Sequence, residues 1–499
     1  MAPKCLFLAA AVVILLTACG GEDGPVAGAF THGVASGDAR PDSVVLWTRV
    51  DREARVKAEV ATDRAFSKVV ASGNADASAD HDFTVKVVVR GIEAGRQYYY
   101  RFRSGDLTSE TGAFRTPPAP GQPAKLRFVF TGDSDGTRFN GAPSYNSFEA
   151  LDRARDEDPD FFLYFGDIIY GDAGTPARTL DQYRAKYKEN REYAALSQIL
   201  AATSTYNMWD DHEVVNDFDG QTVDPDQMAA GREAFQEYLP MTPLDDPQVM
   251  YRTFRWGKAA DFIILDQRSF RSADAEAACR SEEGDADPVP GLGAPAAATS
   301  AKTVRTLLGL PAETPAACLQ ALNDPARTML GPTQKEFLKD ALRRSDATWK
   351  FIVNEVPFAE YLGIPYDRWE GYRAERDEIL RFIRDNDIRN VVFLTTDFHA
   401  NIITDARVDV FADPEPVAKE VVVGPIATAT LKKELESIVG AAGVDAFVGL
   451  LKSILQPDCV ELDAYAYGLV EVDPEVGTAA VTVKDDGGRV ICQTTLTAR

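Results

Sequence analysis

Acidic, amide and imidazole side chains recur in five short motifs that we expect at strand ends or in loops. The residues are Asp133 in TGDS, Asp167 and Tyr170 in GDIIYGD, Asp210, Asp211 and His212 in WDDHE, Asn354 in NEVPF, and Asp397 and His399 in TTDFHAN. Each acid alone has an ordinary explanation, since Asp after a strand often caps a helix or forms a turn. Several carboxylates at one edge of a sheet repel one another unless multivalent cations neutralise them. The five motifs together therefore predict a metal site.

Five apolar runs that each end in polar residues predict the buried strands of an α/β core. They are LRFVFTGDS, DFFLYFGDIIY, ADFIILDQRSF, WKFIVNEVPF and RNVVFLTTDFHAN, with helical patterns such as TLDQYRAKYKENREYAALSQIL and GPTQKEFLKDALRRSD between them. Near-continuous apolar strands that alternate with helices are typical of a layered core whose sheets are covered on both faces. Sites in such cores lie beyond the carboxyl ends of the strands, which is where these polar residues fall.

Residues 30–116 predict a different architecture. The segments SVVLWTRV, RVKAEVATD, HDFTVKVVVRG, RQYYYRFRSGD and TSETGAFRT are rich in β-branched and aromatic residues. About half a dozen short strands in this span predict an all-β sandwich of the immunoglobulin or fibronectin type. The segment PPAPGQP at residues 117–123 cannot continue a β-ladder and is predicted to be a linker, after which residues 124–499 form the α/β domain.

Composition narrows the classes of function. The chain has 499 residues, with 77 Asp and Glu against 53 Lys and Arg, and a formal charge of −24. A protein this acidic repels phosphate backbones, so we expect no stable nucleic-acid partner, although bound metal ions would still attract a small anionic substrate. Only four histidines occur, so the metal site must rest mainly on oxygen ligands. Two of them, His32 and His81, lie far from the acidic motifs and are expected to be structural.

The first residues resemble a bacterial export signal. MAPKCLFLAAAVVILLTAC has one cationic residue and an apolar stretch that is shorter than a membrane-spanning helix requires. Its end resembles a lipobox, which predicts removal of residues 1–18, a lipid on Cys19 and a flexible tether at residues 19–29; an ordinary cleaved signal is the alternative. We therefore expect an exported protein that meets the membrane through this anchor only, in the periplasm or at the cell surface, and Gly20 favours the outer membrane. We expect no other stretch to be long and apolar enough to span a bilayer.

Four cysteines lie beyond the leader, and in an oxidising compartment they allow two bridges and three pairings. We favour pairing between near neighbours, Cys279 with Cys318 and Cys459 with Cys492. Residues 273–330 are rich in Ala, Pro and Asp and are interpreted as a surface insertion held by the first bridge. The segments AYAYGLVEVD and GTAAVTVKD predict closing strands.

The order of the motifs resembles that of a known enzyme group. GD, GDxxY, DDHE, a strand that ends in Asn and then DxH resemble the calcineurin-like metallophosphoesterases, and within them the alkaline phosphatase D family. FTHGVASGDARPDSVVLWTRV, LDQRSFR and WKFIVNEVPF match that family's amino-terminal domain and core, so the resemblance covers roughly residues 30–470. It implies a four-layer core of β-sheets flanked by helices, and a secreted phosphoric ester hydrolase that acts on small phosphate monoesters, diesters or both.

The family pattern also implies two metal sites. The first combines carboxylate, phenolate and imidazole donors that suit Fe³⁺: Asp133, Asp167, Tyr170 and His399. The second shares Asp167 and consists of oxygen donors that suit Ca²⁺, with Mn²⁺ or Mg²⁺ as alternatives: Asp167, Asp211, Asn354 and Asp397. The family often has a cysteine where this chain has Asp133, which leaves the identity of the first metal open.

In the implied mechanism, a hydroxide that bridges the metals attacks phosphorus in line with the leaving alkoxide. His212 would stabilise the phosphoryl oxygens or protonate the leaving group, and Asp210 would orient its imidazole or hold a turn. Arg268 would contact phosphate or pair with Asp266, and Asp135 is a candidate further ligand. The alternative is a non-catalytic surface lipoprotein with a β-sandwich binding module and a degenerate metal site. Serine-hydrolase and NTPase functions lack their signatures here, since the sequence has neither a GxSxG elbow nor a P-loop.

Overall fold

The computed structural model describes residues 27–280, 286–293, 302, 305–306, 310–311 and 313–499. The predicted signal peptide, Cys19 and most of the tether lie outside the described residues, as does part of the insertion. The strands, numbered along the chain, are β1 (Phe30–Arg40), β2 (Ser43–Val50), β3 (Ala54–Ala61), β4 (Val69–Ala77), β5 (Thr84–Arg90), β6 (Gln97–Ser104), β7 (Leu107–Thr108), β8 (Gly112–Arg115), β9 (Leu126–Thr131), β10 (Arg138–Phe139), β11 (Ala142–Pro143), β12 (Phe161–Phe165), β13 (Ser204–Met208), β14 (Arg252–Trp256), β15 (Ala260–Ile264), β16 (Trp349–Asn354), β17 (Val391–Thr395), β18 (Asn401–Asp409), β19 (Asp413–Val422), β20 (Cys459–Glu461), β21 (Ala466–Asp473), β22 (Thr478–Asp485) and β23 (Val490–Thr497).

Helices occupy most of the connections between these strands. The α-helices are Glu149–Asp156, Leu180–Arg191, Ala194–Ala202, Pro225–Tyr238, Glu276–Cys279, Ala316–Leu322, Gly331–Arg344, Arg373–Asp385 and Leu431–Leu455, and short 3₁₀ helices are Ala79–His81, Pro290–Gly293 and Trp369–Tyr372. The helical pattern TLDQYRAKYKENREYAALSQIL forms two helices, Leu180–Arg191 and Ala194–Ala202. The first of them starts at a capping box in which Thr179 and Gln182 satisfy each other's backbone N–H groups.

A nine-stranded sheet has the order β23-β22-β21-β9-β12-β13-β1-β2-β5. Its central strands β9, β12 and β13 run parallel, and Phe161 of β12 lies opposite Phe128 and Ser204. Every residue of β12 is buried, as expected for a continuous apolar strand. Parallel pairing brings the carboxyl ends of these three strands, and the motifs that follow them, to the same edge.

A seven-stranded sheet with the order β14-β15-β16-β17-β19-β18-β20 packs against the first. The Phe128 ring lies 5.2 Å from the Phe262 ring and 5.3 Å from the Phe351 ring, so aromatic side chains fill the space between the sheets. Helices Gly331–Arg344 and Arg373–Asp385 cover the outer face of the seven-stranded sheet through a separate apolar cluster. The layered α/β core predicted from the sequence is therefore confirmed.

The amino-terminal region contains two facing sheets. Strands β1, β2 and β5 share a buried apolar cluster with a sheet of the order β4-β3-β6-β7, in which β8 also pairs with β6. Strand β1 also pairs with β13, with Ser36 opposite Ser204, so one of the two sheets continues into the nine-stranded sheet. Hydrogen bonds therefore join the regions on either side of the linker expected at residues 117–123, and the immunoglobulin or fibronectin likeness stays a prediction.

Two further predictions concern the carboxyl-terminal half. Disulfides join Cys279 to Cys318 and Cys459 to Cys492, so the pairing of near neighbours is confirmed. The sequence predicts that no apolar stretch beyond the leader is long enough to span a membrane. By length and composition this prediction is wrong, because the helix Leu431–Leu455 has a mean hydropathy of 1.8 over an 18-residue window. That stretch is easily missed because Lys and Glu residues dominate its first turns.

Candidate metal centre

The residues predicted for the site lie at the carboxyl ends of strands from both sheets. Asp133, Asp167 and Asp211 follow β9, β12 and β13, whereas Asn354 ends β16 and Asp397 follows β17. Asp133, Asp167 and Asp397 have left-handed backbone conformations, with φ of 58°, 45° and 63°. Such conformations are costly for residues with a side chain and persist where the surrounding structure enforces them, often at functional sites.

Close backbone packing surrounds these turns. A Cβ atom on Gly166 would lie 2.2 Å from Thr396 Oγ1, and one on Gly424 would lie 2.5 Å from Asp133 Oδ2. Both glycines also have positive φ. Glycine at these two positions therefore lets the turns of the two sheets meet around the acidic side chains.

One group of side chains contains Asp133, Asp167 and His399, whose ligand atoms lie within 4.8 Å of one another. The Tyr170 hydroxyl lies 3.1 Å from Nε2 of His399, so the four residues expected for the first metal are brought together. Asp133 Oδ1 accepts a hydrogen bond from the N–H of Asp397 at 3.0 Å. Among the described residues, Asp133 Oδ2 is buried and has no hydrogen-bond partner. A buried carboxylate oxygen of this kind fits a cation.

Electrostatic crowding shifts the pKa values of this group. Burial raises the pKa of Asp133 to about 6. Burial, and then the neighbouring Asp211, raise the pKa of Asp167 well above its usual range. Burial, and then Asp167, do the same to the pKa of the Tyr170 phenol. The protein groups alone therefore disfavour full ionisation of these ligands, and a bound cation would restore it.

A second group contains Asp210, Asp211 and Asp397, whose carboxylate atoms lie within 4.8 Å of one another. Asp211 also meets Asp167 and His212 within the same distance. Asp167 thus lies between the two groups, where a bridging ligand would be. Burial, and then Asp210, raise the pKa of Asp397 well above its usual range, so this group also has an excess of negative charge.

The guanidinium of Arg268 is fully buried inside the second group. It pairs with Asp210, and it donates to both oxygens of Asp367 at 2.6 and 2.9 Å. Arg268 Nη2 also lies 3.5 Å from Asp211 and 3.7 Å from Asp397. The protein itself therefore supplies part of the positive charge that the second group needs, whereas the first group has no arginine of this kind among its described contacts.

Asn354 is held by the protein on every side. Its carboxamide oxygen accepts hydrogen bonds from Gln267 Nε2 at 2.6 Å and from Trp369 Nε1 at 2.9 Å. Its amide nitrogen donates to the carbonyl of Val356 and to Thr395 Oγ1. The structure thus shows Asn354 as a connection between loops, and its role as a ligand stays a prediction.

His212 is oriented by a residue that the sequence analysis did not select. Its Nδ1 lies 2.6 Å from Oδ1 of Asp172, its Nε2 lies 4.0 Å from Asp167, and its ring stacks on Tyr170 at 4.1 Å. Burial lowers the pKa of His212, but Asp211 and Asp172 outweigh burial and raise that pKa to about 9. In the described part of the chain Asp210 contacts Arg268 and not His212, so the geometry assigns the orienting role to Asp172 instead.

The other candidates have structural partners. Asp135 Oδ1 accepts the N–H of Thr137 at 2.8 Å, which is a turn contact. Asp266 accepts hydrogen bonds from Trp209 Nε1 and from the backbone N–H of Arg268, so it does not pair with the guanidinium of Arg268. The structure also brings Asp367 and Glu434 to the site, although neither residue belongs to one of the five motifs. Asp172 did have a signal, because it is the second GD of GDIIYGD.

Glu213, the last residue of WDDHE, joins two of the acidic loops. One carboxylate oxygen accepts the N–H groups of Ile168 at 2.5 Å and Ile169 at 3.2 Å. The other accepts the N–H of Asp210 at 2.6 Å. This buried carboxyl therefore sets the distance between the loop after β12 and the loop after β13.

Two models of known protein families match this chain. The model of the PhoD-like phosphatases matches residues 136–481, and the model of the N-terminal domain of PhoD-like phosphatases matches residues 18–118. The chain belongs to the PhoD-like phosphatase family. Alkaline phosphatase D of Bacillus subtilis (strain 168) is 29% identical over 426 residues, which cover 76% of this chain and 66% of that protein. The chain thus spans just under two thirds of the length of this curated relative.

Solved structures show the same fold. A structure of PhoD is similar with a TM-score of 0.74 and 24% identity, over 95% of this chain and 93% of that one. Purple acid phosphatase PPD1 from yellow lupin (Lupinus luteus) seeds is similar with a TM-score of 0.57 and 12% identity, over 94% of this chain and 74% of that one. These likenesses support an α/β fold of the metallophosphoesterase type with several sheets.

Proposed function

We propose that the protein is a metal-dependent phosphoesterase that hydrolyses phosphate monoesters, diesters or both. The observation that carries this proposal is the convergence of acidic and imidazole side chains from the ends of four strands, β9, β12, β13 and β17. Membership of a family of phosphatases supports the same reaction class. A non-catalytic lipoprotein with a degenerate site is not favoured, because the acids expected at the centre are present and lie together.

The donor types suit two different cations. Asp133, Asp167, Tyr170 and His399 would hold Fe³⁺, since carboxylate and phenolate are hard anionic donors. Oxygen donors at Asp167, Asp211 and Asp397 would hold Ca²⁺, with Mn²⁺ or Mg²⁺ as alternatives and with Asn354 as a further expected ligand. When bound, such cations supply positive charge to phosphoryl oxygens and lower the pKa of a water molecule that acts as nucleophile.

His212 is the group that we assign to proton transfer. Its Nδ1 is engaged by Asp172, which leaves Nε2 to donate a hydrogen bond to a phosphoryl oxygen or a proton to the leaving alkoxide. In the protein without bound cations, Asp211 and Asp172 outweigh burial and raise the pKa of His212 to about 9, which favours the imidazolium. The stacked Tyr170 ring and the carboxylate of Asp172 together restrict the imidazole to one orientation.

We also propose that the protein is exported and attached to a bacterial membrane through a lipid on Cys19. The support is the resemblance of the leader to a lipobox. Two disulfides agree with an oxidising compartment. The net charge of −24 argues against a stable nucleic-acid partner.

The test is elemental analysis of protein purified without added metal, combined with hydrolysis of aryl phosphate monoesters and diesters. We expect about one iron together with calcium per chain, and activity that a chelator removes. Asp167→Asn should lose both metals and turnover, whereas Asp181→Asn, an exposed carboxylate paired with Arg184, should change neither. Manganese or magnesium without iron would retain the phosphoesterase and reject the ferric site. No metal and no turnover, even after metals are added back, would refute the proposal.

A further inference from the structure

The helix Leu431–Leu455 has an apolar sequence that the core of the protein does not use. Its most apolar 18-residue window has a mean hydropathy of 1.8, but only 17% of that window is buried. A core helix of this composition would be mostly buried, and an export signal would lie at the amino terminus. Neither explanation applies to this helix.

The helix is folded at Gly440, where φ is 70° and ψ is 167°. Leu431 and Leu435 on one arm and Leu451 and Leu455 on the other all pack in the same apolar cluster. A straight helix of this length would extend about 37 Å. Because both arms return to one cluster, the residues around Gly440 project away from the body of the protein.

The projecting residues, Ile438, Val439, Gly440, Ala441 and Ala442, are here called the apolar tip. The whole tip is exposed, with exposed fractions of 69% for Ile438 and 53% for Val439. A Cβ atom on Gly440 would meet nothing within 4 Å. Contiguous exposed aliphatic side chains are unfavourable in water and mark a surface that contacts something apolar.

The first arm connects the apolar tip to the candidate metal centre. Glu434 Oε1 lies 2.8 Å from Nδ1 of His399, and the N–H of Leu431 donates to the carbonyl of His399 at 2.9 Å. Ile438 follows Glu434 by about one helical turn. The apolar tip therefore stands close to the site, on an arm that contacts one of its predicted ligands.

We propose that the apolar tip inserts into the interfacial region of a lipid bilayer. This inference rests on the membrane attachment proposed above. Only residues 20–26 separate Cys19 from the first described residue, which holds that residue within about 30 Å of a membrane-bound lipid. The apolar tip has no charged side chain in a chain of net charge −24, so it is a surface suited to approach lipid without Coulombic repulsion.

The test uses the lipid-bearing protein in vesicles of phosphatidylethanolamine and phosphatidylglycerol whose acyl chains carry a spin-label quencher. A fluorophore is attached through Ile438→Cys, and the matched control is Val476→Cys, which is also 69% exposed and lies between β21 and β22. We expect severalfold stronger quenching at position 438, undiminished by added salt because insertion is apolar. Equal quenching at both positions would overturn the inference.

Two controls separate this result from other failures. Turnover of soluble aryl phosphates and detection of the acyl chain by mass spectrometry, on the same labelled samples, show whether the proposed function and its anchor hold. If both are intact and position 438 is not quenched by lipid, the inference is wrong while the proposed function stands. If labels at 438 instead quench one another in vesicles without spin label, the apolar tip binds a second copy of the chain, and the inference is also wrong.

Discussion

Removal of the Asp172 charge is the most direct perturbation of the proposed proton transfer. Asp172 Oδ1 lies 2.6 Å from Nδ1 of His212, and its Oδ2 accepts the N–H of Asn216 at 2.8 Å. Asp172→Asn keeps the shape but leaves one accepting oxygen for two donors. A hydrogen bond to a charged group contributes about 1.5–3 kcal/mol, which corresponds to roughly 10- to 150-fold in rate. We expect kcat to fall by that factor, with KM and metal content little changed.

Steady-state kinetics with aryl phosphates of graded leaving-group pKa can show how the effect arises. If His212 protonates the leaving alkoxide, Asp172→Asn should slow esters with poor leaving groups more than esters with good ones. The double variant with His212→Asn should be no slower than His212→Asn alone, because Asp172 acts through the imidazole. The exposed Asp181→Asn should behave as the unmodified protein. Additive losses in the double variant, or loss of metal from Asp172→Asn, would refute this reasoning.

Three other outcomes concern stability. Burial and the nearby Arg49 lower the pKa of His32 from 6.5 to about 4. The folding stability linked to its neutral form is therefore complete above its usual pKa and is lost as pH falls towards 4. His32→Gln should reduce this loss of stability in acid by about 1–2 kcal/mol in urea melts, after allowance for partial exposure. Neither carboxylate oxygen of buried Glu355 has a hydrogen-bond partner among the described residues, and burial raises the pKa of this carboxyl well above the usual range. Glu355→Gln should therefore raise Tm, and by more at about pH 8 than at about pH 5, because the unfolded chain gains more from ionising Glu355 at the higher pH. An equal gain in Tm at both pH values would contradict this. Replacing Cys459 and Cys492 by Ser opens a loop with a sequence separation of 33 and should cost about 3–4 kcal/mol in denaturant melts, whereas no loss would show that the bridge does not constrain the unfolded chain.

The parts of the fold that could be predicted are those in which the polarity of the local sequence agrees with its burial in the structure. FFLYF is apolar throughout and is buried throughout in β12, so its composition alone indicates a central strand. Strand β13, with the sequence STYNM, is equally buried but largely polar. Two of its hydroxyls have partners that are distant in sequence: Thr205 donates to the carbonyl of Ser36 and Tyr206 to the carbonyl of Ala39. No local pattern reports such a partner, which is why this strand was not predicted.

The same holds for the site residues: some could be selected from their local sequence, and others are placed only by contacts that are distant in sequence. Asp133, Asp167 and Asp397 could be selected because each follows an apolar run at a strand end. Asp367 could not, since it lies in a loop and its contacts are with residues distant in sequence: it pairs with Arg268, which is 99 residues away, and its carboxylate lies within 4.8 Å of Asp211. The sequence left Asp210 either to orient His212 or to hold a turn. Asp210 is closer in sequence than Asp172, but one of its carboxylate oxygens pairs with Arg268, and Asp172 is the residue that contacts the imidazole.

Because of Arg268, the two halves of the site differ in how strongly their side chains attract a cation. Each half has one buried carboxylate oxygen without a hydrogen-bond partner among the described residues, Asp133 Oδ2 in the first and Asp210 Oδ2 in the second, but around Asp133 the described residues provide no arginine. Around Asp211 and Asp397 the guanidinium of Arg268 lies within 3.5–3.7 Å and already offsets part of the charge. A second cation would bind there against that positive charge and so with a weaker net attraction. The first half therefore constrains its metal more strongly than the second half does.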